Sequence, residues 1–218
     1  MSRIGNIYLI WRKGQGSRRI PIGIIRYSSS NGITFNYLTE GVEKAKKEGF
    51  KLYTGFPDLE KTYTENVLSI FGQRIPKIER NDLNDFYTFW KVDQSKKKDI
   101  YYMLSQTQGI LPTDNFEFLT NFNSSKNLKF ISEISGLSSR QISSDSLNVG
   151  DTLSYKLEPT NPFDKKAVLL YIRDIELGYM KLIHSKVFYK TNFIPKIKVH
   201  HIERNGVLKR VFISVEFL

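Results

Sequence analysis

Leu153, Tyr155 and Leu157 alternate with Ser154, Lys156 and Glu158, and the chain then meets two prolines, Pro159 and Pro162, before an apolar run from Ala167 to Ile172. Alternation of period two marks a half-buried strand, because successive side chains leave opposite faces. Proline has no amide donor and fixes its own φ, so the strand stops at Pro159. Asn161, whose side chain can bond nearby backbone, makes the interruption a turn. Any fold of this chain must therefore hold two strands joined by a turn whose tip carries Phe163 and Asp164. Polar turns on a rigid scaffold are where binding groups concentrate. The same residues also suit a plain Asx-type turn with Phe163 tucked into the core and Asp164 capping the turn.

More strands surround this pair. Phe130 to Gly136 reads as a strand ending in glycine, Gly150 introduces the alternating strand, and Leu177-Gly178-Tyr179 follows the second apolar run. Phe193 to Val199 and Val207 to Phe217 flank Asn205-Gly206, a dipeptide that favours a tight hairpin. Nearer the N-terminus, Ile7 to Trp11, Ile20 to Tyr27 and Ile33 to Tyr37 are strand-like. The first two are joined by the basic, glycine-rich Arg12 to Arg19. Helical spacing of apolar residues appears in Thr64 to Phe71, and short helices are expected at Asn84 to Trp90 and Lys98 to Leu104. The window Asn121 to Asn127 is polar and rich in Asn and Ser, a linker between two domains, 1–124 and 125–218. The expected class is α+β, mainly β, with each half large enough to bury a core.

Charge narrows the partners. The net charge is +11, with a pI near 9.6. The first 124 residues carry 18 Lys and Arg against 13 Asp and Glu, and the rest 15 against 9, so the excess is denser in the second part. Such a balance suits a polyanion, although a solvated lysine-rich surface gives it too. There are no cysteines, which excludes disulfides, thiolate metal sites and cysteine nucleophiles. No signal-like N-terminus and no apolar run of membrane length occur, so a soluble, cytoplasmic protein with no membrane partner is expected. Gly14-Gln15-Gly16-Ser17 lacks the ending of a phosphate-binding loop and joins two strands, hence a hairpin turn. Of the three histidines, His184, His200 and His201, the adjacent pair would point to opposite faces of a strand. We expect no catalytic residues, no metal and no cofactor.

Taken in order, the strand ending at Gly136, Arg140-Gln141, the strand ending in Glu158-Pro159, Asn161-Pro162-Phe163-Asp164 and Leu177-Gly178-Tyr179 resemble the HIRAN domain. The likeness covers roughly residues 126–218. It implies a small OB-like β-barrel that grips the 3′ end of single-stranded DNA. It further implies Arg140, Gln141, Thr160, Asn161, Phe163, Asp164, Tyr179 and Lys181 as DNA-binding residues. Phe163 would stack on the terminal base, Asp164 would accept a bond from the 3′ hydroxyl, and Arg140 and Lys181 would meet phosphates. Gln141 stands where DNA-binding members carry an aromatic, which leaves Phe163 as a single stacking wall.

The first part is similar to the N-terminal subdomain of HipA-type toxin kinases. The resemblance runs through Ile7 to Trp11, Ile22-Gly23-Ile24, Phe35-Asn36-Tyr37, Gly55-Phe56-Pro57 and Val67 to Pro76, then Asp99 to Leu104 and Gly109. The chain has no room for a kinase core, so no phosphotransferase activity is implied. The expected function is a non-enzymatic module binding single-stranded DNA ends in a prokaryotic DNA-processing, toxin–antitoxin or phage-defence setting, beside a kinase, helicase or nuclease encoded nearby. The alternative is a protein-interaction or antitoxin-like subunit regulating a separately encoded HipA-type kinase.

Overall fold

The computed structural model describes residues 4–14, 16–77, 83–140 and 142–218. It divides into two compact units, residues 2–121 and 122–218. The division falls after Asn121 rather than after Ser124 because Phe122 already belongs to the second core. It is 2% exposed and stacks on Phe130 with ring centroids 4.6 Å apart.

The N-terminal unit is a four-stranded sheet, in the order β3-β2-β1-β4, with helices. The strands are β1 (Ile4–Trp11), β2 (Ile20–Ser28), β3 (Gly32–Tyr37) and β4 (Phe116–Phe122). The helices are α1 (Thr39–Lys46), α2 (Val67–Gly72), α3 (Leu83–Phe89) and α4 (Ile100–Thr107). α4 begins where Asp99 accepts a hydrogen bond from the Tyr102 N–H at 3.0 Å, an N-cap that satisfies one of the orphan amides of a helix start. Sequence periodicity locates three of the four helices and misses α1. The apolar side of α1 is only Gly41, Val42 and Ala45. A Cβ at Gly41 would sit 1.8 Å from the Pro21 carbonyl oxygen, so the helix touches β2 through bare backbone. The core centres on Phe35, whose ring meets Tyr37, Phe56, Tyr63 and Phe71.

The C-terminal unit is a closed six-stranded barrel in the order β10-β5-β8-β7-β6-β9. Its strands are β5 (Lys129–Ser135), β6 (Thr152–Glu158), β7 (Ala167–Ile172), β8 (Ile175–Met180), β9 (Pro195–Arg204) and β10 (Leu208–Phe217). The neighbouring strands pair antiparallel all the way round. Closure removes the unpaired edges a sheet would otherwise expose. Leu153, Val168, Leu170, Leu177, Ile197, Val199, Val211, Ile213 and Val215 fill the interior. β9 and β10 turn about Asn205-Gly206, where Gly206 has φ +86°. β9 starts at Pro195 rather than Phe193 and runs on to Arg204, with a register shift opposite Phe212 and Ile213. At the β5–β8 crossing Gly178 has φ +140°, and a Cβ there would lie 2.3 Å from the Ser135 carbonyl oxygen. Only glycine lets those strands meet.

Candidate nucleic-acid interface

The turn between β6 and β7 is braced by its own side chains. The Asn161 N–H donates to the Glu158 carbonyl at 3.1 Å. The Asn161 side-chain oxygen accepts from the N–H groups of Phe163 at 3.0 Å and Asp164 at 3.2 Å. Asp164 Oδ1 then accepts from the Lys166 N–H at 2.8 Å, and the Ala167 N–H returns to the Asp164 carbonyl at 2.9 Å. Two consecutive Asx turns thus hold the backbone of the turn without a sheet partner. The consequence is the position of Phe163, which is 84% exposed. The core-packed alternative for Phe163 is therefore wrong, while the capping role of Asp164 is real. Asp164 is half-buried, and the turn's own bonds use its Oδ1.

Behind the turn lies a polar network. The Tyr179 hydroxyl donates to Glu158 Oε2 at 3.1 Å, and Asn161 Nδ2 donates to the same oxygen at 3.1 Å. Burial, and after it the bond to Glu158, holds the Tyr179 hydroxyl above the ordinary tyrosine value. Arg140 lies over the Tyr179 ring at 5.5 Å and ion-pairs with Glu176. A stacked guanidinium and a hydrogen-bonded phenol brace each other, so this side of the turn is fixed before any ligand arrives.

On the other side, Asp164 faces Lys186, whose ammonium is pulled down by burial and partly restored by that carboxylate. Lys166 sits over the Tyr189 ring at 4.6 Å, and the Tyr189 hydroxyl donates to the Ala167 carbonyl at 2.7 Å. Sequence reasoning missed Glu158, Lys186 and Tyr189 as parts of this site. Glu158 reads as an ordinary strand end. Lys186 and Tyr189 belong to a 3-10 helix, His184–Tyr189, that no periodicity announces.

The structure thus brings Asn161 and Tyr179 together on Glu158, with Arg140 over the Tyr179 ring and paired to Glu176, Phe163 and Asp164 at the tip and Thr160 exposed on the turn. Gln141 lies outside the described residues. Lys181 is a correction. It was expected to meet phosphates, but it is 0% exposed, with Nζ 3.2 Å from Glu133 Oε2. Arg210 holds the other oxygen of Glu133 at 2.9 Å. Lys181 follows Met180, whose side chain is in the barrel core, so it stands on the opposite face of the strand, in line with Glu133 of β5. Its charge is spent inside the protein.

No family model matches the chain, and no curated protein matches it. Among solved structures the chain is similar to the HIRAN domain of human HLTF, at 16% identity over 41% of this chain and 74% of that one, with a TM-score of 0.34.

Proposed function

We propose that the barrel binds the 3′ end of single-stranded DNA and performs no chemistry on it. The observation that supports this reading is Phe163, 84% exposed at the tip of a turn held by its own side-chain hydrogen bonds, beside the Asp164 carboxylate. Exposing a phenyl ring to water costs about 1.5–3 kcal/mol relative to burying it, so a braced turn that presents one suits a stacking ligand. A base stacked on it contributes about 1–3 kcal/mol. Asp164 accepts the bond of a terminal 3′ hydroxyl, and Lys165 and Lys166 supply positive charge next to it. The toxin–antitoxin or phage-defence setting belongs to this proposal through the motif order of residues 5–120 alone.

Fluorescence anisotropy with a 3′-hydroxyl and a 3′-phosphate oligonucleotide tests it. The two lysines by themselves would favour the extra phosphate charge. Tighter binding of the 3′-hydroxyl strand therefore isolates the Asp164 acceptor, and equal or reversed affinities overturn the end pocket. A barrel that binds neither strand would return the regulatory reading to first place.

A further inference from the structure

A row of lysines on the outer face of β6 and β9 is not used by the end pocket. Leu153 pairs with Ile197, and both point into the barrel core. Side chains alternate across a strand, so the flanking residues Thr152, Ser154, Lys196 and Lys198 face outward. Thr152 lies opposite Lys198, and alternation puts Ser154 and Lys196 on the same outer face as that pair. Lys156, two residues further along β6 on the same face, pairs with Leu169, which pairs in turn with Tyr179 of the network behind the turn. Lys156, Lys196 and Lys198 are all exposed.

Two features distinguish this face from a merely solvated one. Glu216, the carboxylate opposite Lys196 on β10, is engaged by Lys129 at 2.6 Å. The β6 positions between the lysines are Thr152 and Ser154, short side chains that leave the face unobstructed. Lys196 and Lys198 stand two residues apart on one strand, roughly 6.5 Å, and Lys156 carries the row toward Tyr179 and the Asn161 turn.

Resting on the end-binding reading above, we infer that Lys156, Lys196 and Lys198 form a track for the phosphodiester backbone of the same single strand whose 3′ end sits at Phe163. The strand leaves the turn past Tyr179 and Lys156 and crosses β6 onto β9. The partner is a polyanion in extended form. A compact phosphate would touch one lysine, and an acidic peptide would carry no terminal base for Phe163.

The test uses the full chain and oligothymidylates of three and twelve nucleotides, each with a 3′ hydroxyl, titrated at several salt concentrations. The wild type binds the longer strand more tightly. The double variant Lys196→Ala/Lys198→Ala binds the short strand as the wild type does but loses about ten-fold on the long one. Its log–log salt slope falls by about 1.4, the value for two phosphate contacts on a single strand. Lys196→Arg/Lys198→Arg restores both. Lys46→Ala/Lys47→Ala, which removes the same charge from the exposed end of α1, leaves them nearly unchanged. An equal loss in that control would reduce the effect to net charge and overturn the track, as would an unchanged slope in the β9 variant. The preference for 3′ hydroxyl over 3′ phosphate separates the two readings. If it is absent while the β9 variant loses slope, the end pocket fails and the track stands. If it is present while the slope is unmoved, the end pocket stands and the track fails.

Discussion

Phe35 and Phe163 are the same side chain put to opposite uses. Phe35 is 0% exposed and meets four aromatic rings at centroid distances of 4.7 to 6.1 Å, whereas Phe163 is 84% exposed. The difference starts in the backbone. Phe35 exchanges both of its main-chain hydrogen bonds with Tyr63 at 2.9 Å, a sheet-like pairing that fixes its ring over the core. The Phe163 N–H is satisfied by the Asn161 side chain, so nothing in the sheet decides where its ring goes. Aromatic content therefore does not say where a ring goes. Satisfying the backbone locally is what leaves the Phe163 ring outside.

The largest effect expected from that contrast is on stability. Phe35→Ala leaves a void at the centre of the ring cluster and should cost about 3–5 kcal/mol. Both tryptophans, Trp11 and Trp90, lie in the N-terminal unit, so tryptophan fluorescence during urea unfolding reads this loss there. A change under about 1 kcal/mol would mean the cluster repacks. Next in size is Lys181. Removing it takes one cation from the buried Glu133, which Arg210 also holds, and Lys181→Ala should destabilise the barrel by about 3 kcal/mol, the lower end for breaking a buried pair. Hydrogen exchange at β5 and β8 measures it. The salt slope of DNA binding should not move, because this charge never meets a phosphate. A slope lowered by about 0.7, the value for one phosphate contact on a single strand, would restore Lys181 to the interface.

Phe163→Ala reverses the pattern. An exposed side chain should change stability by no more than about 0.5 kcal/mol. Binding of a 3′-hydroxyl oligonucleotide should weaken by about 1–3 kcal/mol, or five-fold and more. Unfolding midpoint and anisotropy on the same samples give both numbers. A variant that unfolds early but binds normally would show that the ring packs in solution and that the contrast with Phe35 is false.

The legible parts of this protein were those set by local rules. β6 and β7 follow from alternation and from Pro159, and the β9–β10 hairpin follows from Asn205-Gly206. α1 was hidden because its contact with β2 needs the absence of a side chain at Gly41, and an absence leaves no hydrophobic signal. The turn at Asn161, Phe163 and Asp164 was readable since its bonds close within a few residues. The place of Lys181 depends on Glu133, and that of Tyr179 on Glu158, partners far along the chain. Sequence spacing could not separate a lysine facing phosphate from one facing a buried carboxylate.

The smallest effect concerns Tyr179, and it sharpens the comparison by setting a braced surface network against a buried core. Tyr179→Phe removes one part-buried hydrogen bond to Glu158 and should cost about 1 kcal/mol near neutral pH. The folded protein holds this hydroxyl above its ordinary value of 10.0, first through burial and second through Glu158. A group whose folded value is raised lends stability that is complete below the unfolded value and is lost as pH rises through the folded one. The gap in stability between wild type and Tyr179→Phe should therefore stay constant up to about pH 10 and close above it. Tyr37 is also raised, by burial in the N-terminal unit, but it is common to both proteins and drops out of the difference. Urea unfolding of the pair from neutral to alkaline pH, followed by far-UV circular dichroism, measures the gap. If it stays open where tyrosine ionises, the hydroxyl is not donating to Glu158, and the brace behind Asn161 must come from Arg140 on the ring instead.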